Sequence, residues 1–149
     1  MAKVLIMIGS KSDSPYAEEC QALLQSLGIA SQLEISSAHR QPERTDELAR
    51  TAEKAGYEVI ICMAGMAAAL PGVVAARTEL PVIGVPLPAS LEGLDSLLAI
   101  AQMPSGVPVA TMGIGKAGAK NAAFMAARIL GARYPEIRDK LRQQKKLKD

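Results

Sequence analysis

Short apolar runs alternate five times with longer stretches whose apolar residues recur at helical spacing, and this alternation constrains the fold more than any other feature. Residues 4–8 (VLIMI) form a continuous apolar run ended by Gly9, the pattern of a strand buried on both faces. Ser14-Pro15 then offers a capping side chain and a first-turn proline. Ala17, Cys20, Leu23, Leu24 and Leu27 follow on one helical face, and Gly28 ends the helix. Further strands are expected at residues 33–36, 59–63, 81–85 and 107–112. Helices are expected over residues 42–55, from the small-residue segment 64–76, over 91–101 and 117–130, with a charged one over 135–147. Alternation with short connections predicts a parallel sheet covered on both faces through right-handed crossovers. The expected architecture is a three-layer α/β sandwich, flavodoxin-like or Rossmann-like, in one domain over residues 1–149.

Composition decides which partners such a sandwich can take. Apolar residues make up 49% of the 149 and charged residues 21%, enough for a core without disulfide or metal staples. Alanine fills 25 positions, while the aromatics are three Tyr and one Phe, too few for stacking on single-stranded nucleic acid. The net charge of +2 belongs to the C-terminus. Residues 133–149 hold seven Lys/Arg and three Asp/Glu, whereas the preceding 132 residues hold ten and twelve. Basic residues there suit the end of a solvated helix, and the body offers no electrostatic footprint for nucleic acid. Cys20 and Cys62 fall in an expected helix and an expected strand and read as buried, reduced thiols; with a single histidine in the chain they form no zinc set. The N-terminal apolar run is too short for a membrane span or a secretory leader. These features describe a soluble, cytoplasmic protein with no metal, nucleic-acid or membrane partner.

In a parallel sheet of this kind, ligands sit beyond the carboxyl ends of the strands, so the loops after the strands carry the function. The first, Gly9-Ser10-Lys11-Ser12-Asp13-Ser14, combines a turn-forming glycine with hydroxyls and N–H groups at a helix start, which suits an anion. If Ser14 caps the helix, Ser10, Ser12 and Asp13 stay free to face a ligand, and a carboxylate suits ribose hydroxyls. The same residues also make an ordinary polar turn. The second loop, Ser36-Ser37-Ala38-His39-Arg40-Gln41, places the only histidine at a strand end beside an arginine. Arg40 offers a planar fork for phosphate, and an imidazole shuttles protons at neutral pH. The third, Ala64-Gly65-Met66-Ala67-Ala68-Ala69-Leu70, has no acid–base side chain. Its small residues fit either a close backbone approach to a planar ligand or a close subunit contact. The loop over residues 86–90 is the fourth. The fifth, Gly113-Ile114-Gly115-Lys116-Ala117-Gly118, matches a dinucleotide fingerprint, but it falls in the last strand–helix unit. No later strand carries the ribose-binding acid, which argues against a nicotinamide cofactor.

Taken jointly, six segments resemble one family, the phosphoribosylaminoimidazole carboxylases of purine biosynthesis. They are GSKSD (9–13), SAHR (37–40), AGMAAALPG (64–72), PVIGVP (81–86), GLDSLLAIAQMPSGVPVAT (93–111) and IGKAGAKNAA (114–123). The resemblance runs from residue 4 to about residue 130. Arg40 and the Gln102-Met103-Pro104 wording are similar to the N5-carboxyaminoimidazole ribonucleotide mutase branch; the branch that uses carbon dioxide directly tends to carry Lys at position 40. The resemblance implies a flavodoxin-like subunit in a homo-octamer, a ribonucleotide substrate, and neither metal nor organic cofactor. It implies a carboxylate moved from the exocyclic nitrogen to ring carbon C4 by way of carbon dioxide trapped in a closed site.

On the same basis His39 is the implied general acid/base. Ser10, Asp13 and Arg40 would bind the ribose phosphate, with Ser12 and Ser37 beside them. The backbone of residues 64–70, including Gly65, Ala67 and Leu70, would line the pocket for base and carbon dioxide, and residues 103–106 would reach a neighbouring subunit's site. One position departs from the pattern. The mutase branch usually has a second histidine in its AGGAAHLPG segment, and the matching residue here is Ala69. His39 would then carry both proton steps, alone or with water. Direct carboxylation of the aminoimidazole ribonucleotide, or a non-catalytic nucleotide-binding module, are the alternatives.

Overall fold

A computed structural model describes residues 1–146. Five strands, β1 (Lys3–Ile8), β2 (Ala30–Ile35), β3 (Val59–Gly65), β4 (Val82–Leu87) and β5 (Ala110–Thr111), form one sheet in the order β2-β1-β3-β4-β5. All four pairings are parallel, as the five strand–helix units require. The connections are α1 (Ser14–Ser26), α2 (Pro42–Thr51), α3 (Leu70–Ala75) and α4 (Leu94–Ala101), and α5 (Gly115–Gly131) and α6 (Pro135–Lys146) follow the last strand. This strand order is the flavodoxin-like one, with its topological switch between β1 and β3.

Side chains alternate between the two faces of the sheet and so divide the core in two. Val4, Ile6 and Ile8 of β1, with Ile61 and Val85, pack under Ala17, Cys20 and Leu24 of α1 and the alanine face of α5 (Ala119, Ala122, Ala123, Ala126). Leu5, Met7, Ile60 and Cys62 face the other way, toward Ala49 of α2, Leu70 and Val74 of α3 and Ile100 of α4. Small residues set the spacing of these layers. A Cβ on Gly84 of β4 would lie 2.5 Å from Ile100 Cγ2 and 2.8 Å from Val109 Cγ1, so only glycine lets α4 sit this close to the sheet. Both cysteines are free and buried, as the sequence suggests, and burial pushes the Cys20 thiol up to about 12. Among the described residues, no helix is long and apolar enough to cross a membrane.

Element boundaries moved where local chemistry overrode periodicity. β2 begins three residues early, at Ala30, because it is an edge strand whose polar Ser31 and Gln32 hide the pattern. α2 ends at Thr51 rather than at residue 55, where Thr51 Oγ1 bonds back to the Glu47 carbonyl at 2.8 Å and the chain turns through Gly56 (φ 86°). Residues 64–69 are not helical. β3 runs on to Gly65, and positive φ at Met66 and Ala68 delays α3 to Leu70. Glu92 and Gly93, also at positive φ, delay α4 to Leu94. β5 shrinks to two residues because Pro108 has no N–H to donate and Gly106 turns at φ 93°. The expected end of the last helix, at residue 147, lies outside the described residues.

Candidate active site

The carboxyl ends of β1, β2, β3 and β4 open into one cavity of about 680 Å³. It exceeds the clefts at α5–α6 (about 490 Å³) and at the amino end of β4 (about 470 Å³), and it sits where the switch point of such a sheet places a ligand. All nine residues singled out from the sequence line it: Ser10, Ser12, Asp13, Ser37, His39, Arg40, Gly65, Ala67 and Leu70.

The loop after β1 folds differently from the expectation based on a Ser14 cap. Ser14 is the first residue of α1, and the cap position falls at Asp13, whose side chain makes no capping bond. The hydroxyl with a capping role belongs to Ser10. It accepts from the Ser12 N–H at 3.3 Å and meets Ser12 Oγ at 2.9 Å, closing a 3-10 turn over Lys11–Asp13. Ser10 and Ser12 therefore present a paired hydroxyl surface, and a ligand must share these groups with the turn. Burial pushes the Asp13 carboxyl above its ordinary value, against a backbone hydrogen bond from Ser10 that works the other way.

The loop after β2 is built to hold His39 in place. Buried Ser36 and Thr45 join their hydroxyls at 2.7 Å, fastening the end of β2 to α2. Beyond that bond the chain makes one tight turn: the Arg40 N–H donates to Ser37 Oγ at 3.2 Å, and the Gln41 N–H donates to the Ser37 carbonyl at 2.8 Å. His39 and Arg40 stand at the tip of this turn, exposed to the cavity. Proline at the first turn of α2 then starts the helix that anchors Thr45.

The end of β3, the loop after it and the start of α3 form the third wall from Ala64 to Leu70, with Leu87 at the end of β4 and Pro88 and Ala89 after it alongside. The Ala68 N–H donates to the Gly65 carbonyl at 3.0 Å, which closes the loop on itself. Sequence reasoning missed two lining side chains. Tyr16 projects from the first turn of α1, where aromatic content was read only as scarce, and Met66 was grouped with the small residues around it. The Gly113–Gly118 fingerprint lies outside the cavity. Its glycines serve the β5–α5 connection: Gly115 adopts φ 75°, and a Cβ on Gly118 would overlap the Gly113 carbonyl.

A family model described as AIR carboxylase matches residues 3–149. The chain belongs to the AIR carboxylase family. A relative from Saccharolobus solfataricus, named N5-carboxyaminoimidazole ribonucleotide mutase, is 55% identical over 144 residues, covering 96% of this chain and 90% of the relative. The Pseudomonas aeruginosa protein of the same name is 52% identical over 143 residues, covering 95% and 88%. The crystal structure of Treponema denticola PurE superposes with a TM-score of 0.90 at 31% identity, covering 99% of this chain and 92% of that one. Family, enzyme class and flavodoxin-like fold thus agree with the resemblance read from the six segments.

Proposed function

We propose that this cavity isomerises N5-carboxyaminoimidazole ribonucleotide to the C4-carboxylated nucleotide of purine biosynthesis, a mutase reaction. Identity of 52–55% over nearly the full chain to proteins of that name carries the reading. The cavity supports it by gathering a proton carrier, an anion-binding fork and an apolar wall into one space.

In this reading Arg40 and the Ser10–Ser12–Asp13 turn hold the ribose phosphate, and Ser37 holds the turn that presents Arg40. The aminoimidazole lies against the wall of Gly65, Ala67 and Leu70. The N–CO₂ bond breaks with its electron pair left on nitrogen, which takes a proton from His39. Ring carbon C4 then attacks the trapped carbon dioxide and loses its own proton to the same imidazole. The histidine ends as it began, so one imidazole closes the cycle and Ala69 removes no required proton carrier. Apolar walls suit carbon dioxide, which has no charge to solvate.

The reading extends to a homo-octamer working in the cytoplasm. Leu91, Leu94 and Leu98 leave an apolar stripe exposed at 62%, 55% and 47%, as expected of a face covered by another copy. Gly106 lies beside Leu80, Pro81 and Val82 at the amino end of β4, the end of the sheet away from the cavity. In this reading residues 103–106 reach the site of a neighbouring subunit, which the position of Gly106 away from the cavity of its own chain supports. A monodisperse monomer in light scattering at assay concentration contradicts this assembly.

Supplying the N-carboxylated nucleotide, and separately the uncarboxylated nucleotide with bicarbonate, tests the function. Rapid conversion of the first substrate is expected. Turnover confined to the second identifies a direct carboxylase, and binding without turnover of either identifies a nucleotide-binding module.

A further inference from the structure

Tyr16 lines the cavity and has no role in the chemistry above. It is the third residue of α1, and Asp13 takes the cap position ahead of it. Residues three apart share a helix face, so the two side chains stand together over the first turn. The Tyr16 ring is partly buried and packs against the core shared by α1 and α5, which holds it in place. Four side-chain hydroxyls line the cavity, on Ser10, Ser12, Tyr16 and Ser37. Ser10 and Ser12 bond each other, and Ser37 accepts from the Arg40 N–H. The Tyr16 hydroxyl has no partner among the described residues and is open to solvent. A phenol with its ring packed and its O–H unused is a ready donor for a ligand.

Charge indicates which part of a ligand needs that donor. A phosphate monoester carries close to two negative charges at neutral pH and offers three strong acceptor oxygens. Arg40 is the one Lys or Arg side chain among the lining residues. An ionised Asp13 accepts hydrogen bonds and donates none. The remaining donors must be neutral O–H and N–H groups on the Ser10–Ser12–Asp13 side, and Tyr16 stands on that side.

We propose that the Tyr16 hydroxyl donates a hydrogen bond to the phosphate of the bound ribonucleotide and so selects for a phosphorylated substrate. This rests on the ribonucleotide substrate of the reading above, but not on which way its carboxylate moves. Tyr16 acts on binding alone, and the proton transfers stay with His39.

The test compares the full-length protein with Tyr16→Phe, which keeps the ring and its packing and removes only the hydroxyl. Calorimetry with the uncarboxylated nucleotide reads binding without turnover. Initial rates with the N-carboxylated nucleotide give KM and kcat, and thermal unfolding reads stability. Tyr16→Phe is expected to bind about 10- to 150-fold more weakly, the range for a lost hydrogen bond to a charged group. KM should rise with that loss while kcat stays within about twofold. The unfolding midpoint should match the parent's, because no bond among the described residues is removed. An affinity loss below tenfold overturns the proposal. So does a fall in kcat at constant KM, which places the hydroxyl at the reacting carbon, or a lowered midpoint, which makes its role structural. A parent that binds the nucleotide but converts no N-carboxylated substrate defeats the mutase reading and leaves this inference standing. A parent that does not bind the nucleotide overturns both.

Discussion

The Ser36–Thr45 hydroxyl pair is where fold stability and site geometry meet. The two oxygens are 2.7 Å apart, and both residues are fully buried. Thr45→Val keeps the branched shape and deletes one hydroxyl, leaving Ser36 Oγ buried without its partner. An unsatisfied buried polar group costs about 1–3 kcal/mol. Replacing both residues, Ser36→Ala with Thr45→Val, removes the orphan and should cost less than about 1 kcal/mol, so the double variant is expected to be more stable than the Thr45→Val single. Urea unfolding at one fixed protein concentration gives the comparison, with an unchanged m-value as the sign that only stability moved. The His39 turn starts at the next residue, so Thr45→Val should also lower kcat. A Thr45→Val protein as stable as the parent, or a double variant less stable than either single, refutes the claim that this bond fastens the turn.

Arg40→Lys keeps the charge and loses the bidentate fork, so substrate binding should weaken by ~1.5–3 kcal/mol, about 10- to 150-fold by calorimetry, with less damage to kcat. Undiminished affinity removes Arg40 from the phosphate site. Asp13→Asn should separate stability from function. Burial raises the Asp13 carboxyl above its unfolded value, so the folded state favours the protonated form, and ionisation at neutral pH opposes folding. Stability from this group is fully present below the unfolded carboxylate value and is lost as pH rises through the folded value. Asp13→Asn should therefore unfold no earlier than the parent at pH 7, with the difference closing as pH falls through the carboxylate range, while substrate affinity drops. A variant destabilised equally at all pH values contradicts this.

Much of the site was legible because its chemistry lies in loops at the ends of strongly patterned strands. Val4–Ile8 and Val59–Met63 could be read as buried strands from their apolar runs alone, and a parallel sheet confines ligands to the loops at the carboxyl ends of those strands. His39 stood out as the only imidazole, and Arg40 as its neighbour. The features that stayed hidden depend on backbone conformation. Nothing in the residue types marks Met66 or Ala68 as left-handed, yet both adopt positive φ between the end of β3 and the start of α3. Ser10 and Ser14 are the same residue type at the same loop, so composition could not say which one closes a turn. Edge strands were read worst: β2 carries polar residues on its open side, and β5 is cut short by proline.

The central claim is that one imidazole, His39, carries both protons of the carboxylate transfer. Its direct test is the turnover of N-carboxylated nucleotide by His39→Asn, measured alongside its circular dichroism and unfolding midpoint. Asparagine keeps much of the shape and hydrogen bonding of the ring but does not titrate near neutrality. The account predicts a protein folded like the parent with no measurable turnover, since the chain has no other histidine to substitute. A folded His39→Asn protein that turns over at near the parent rate contradicts it, and assigns the proton transfers to substrate and water.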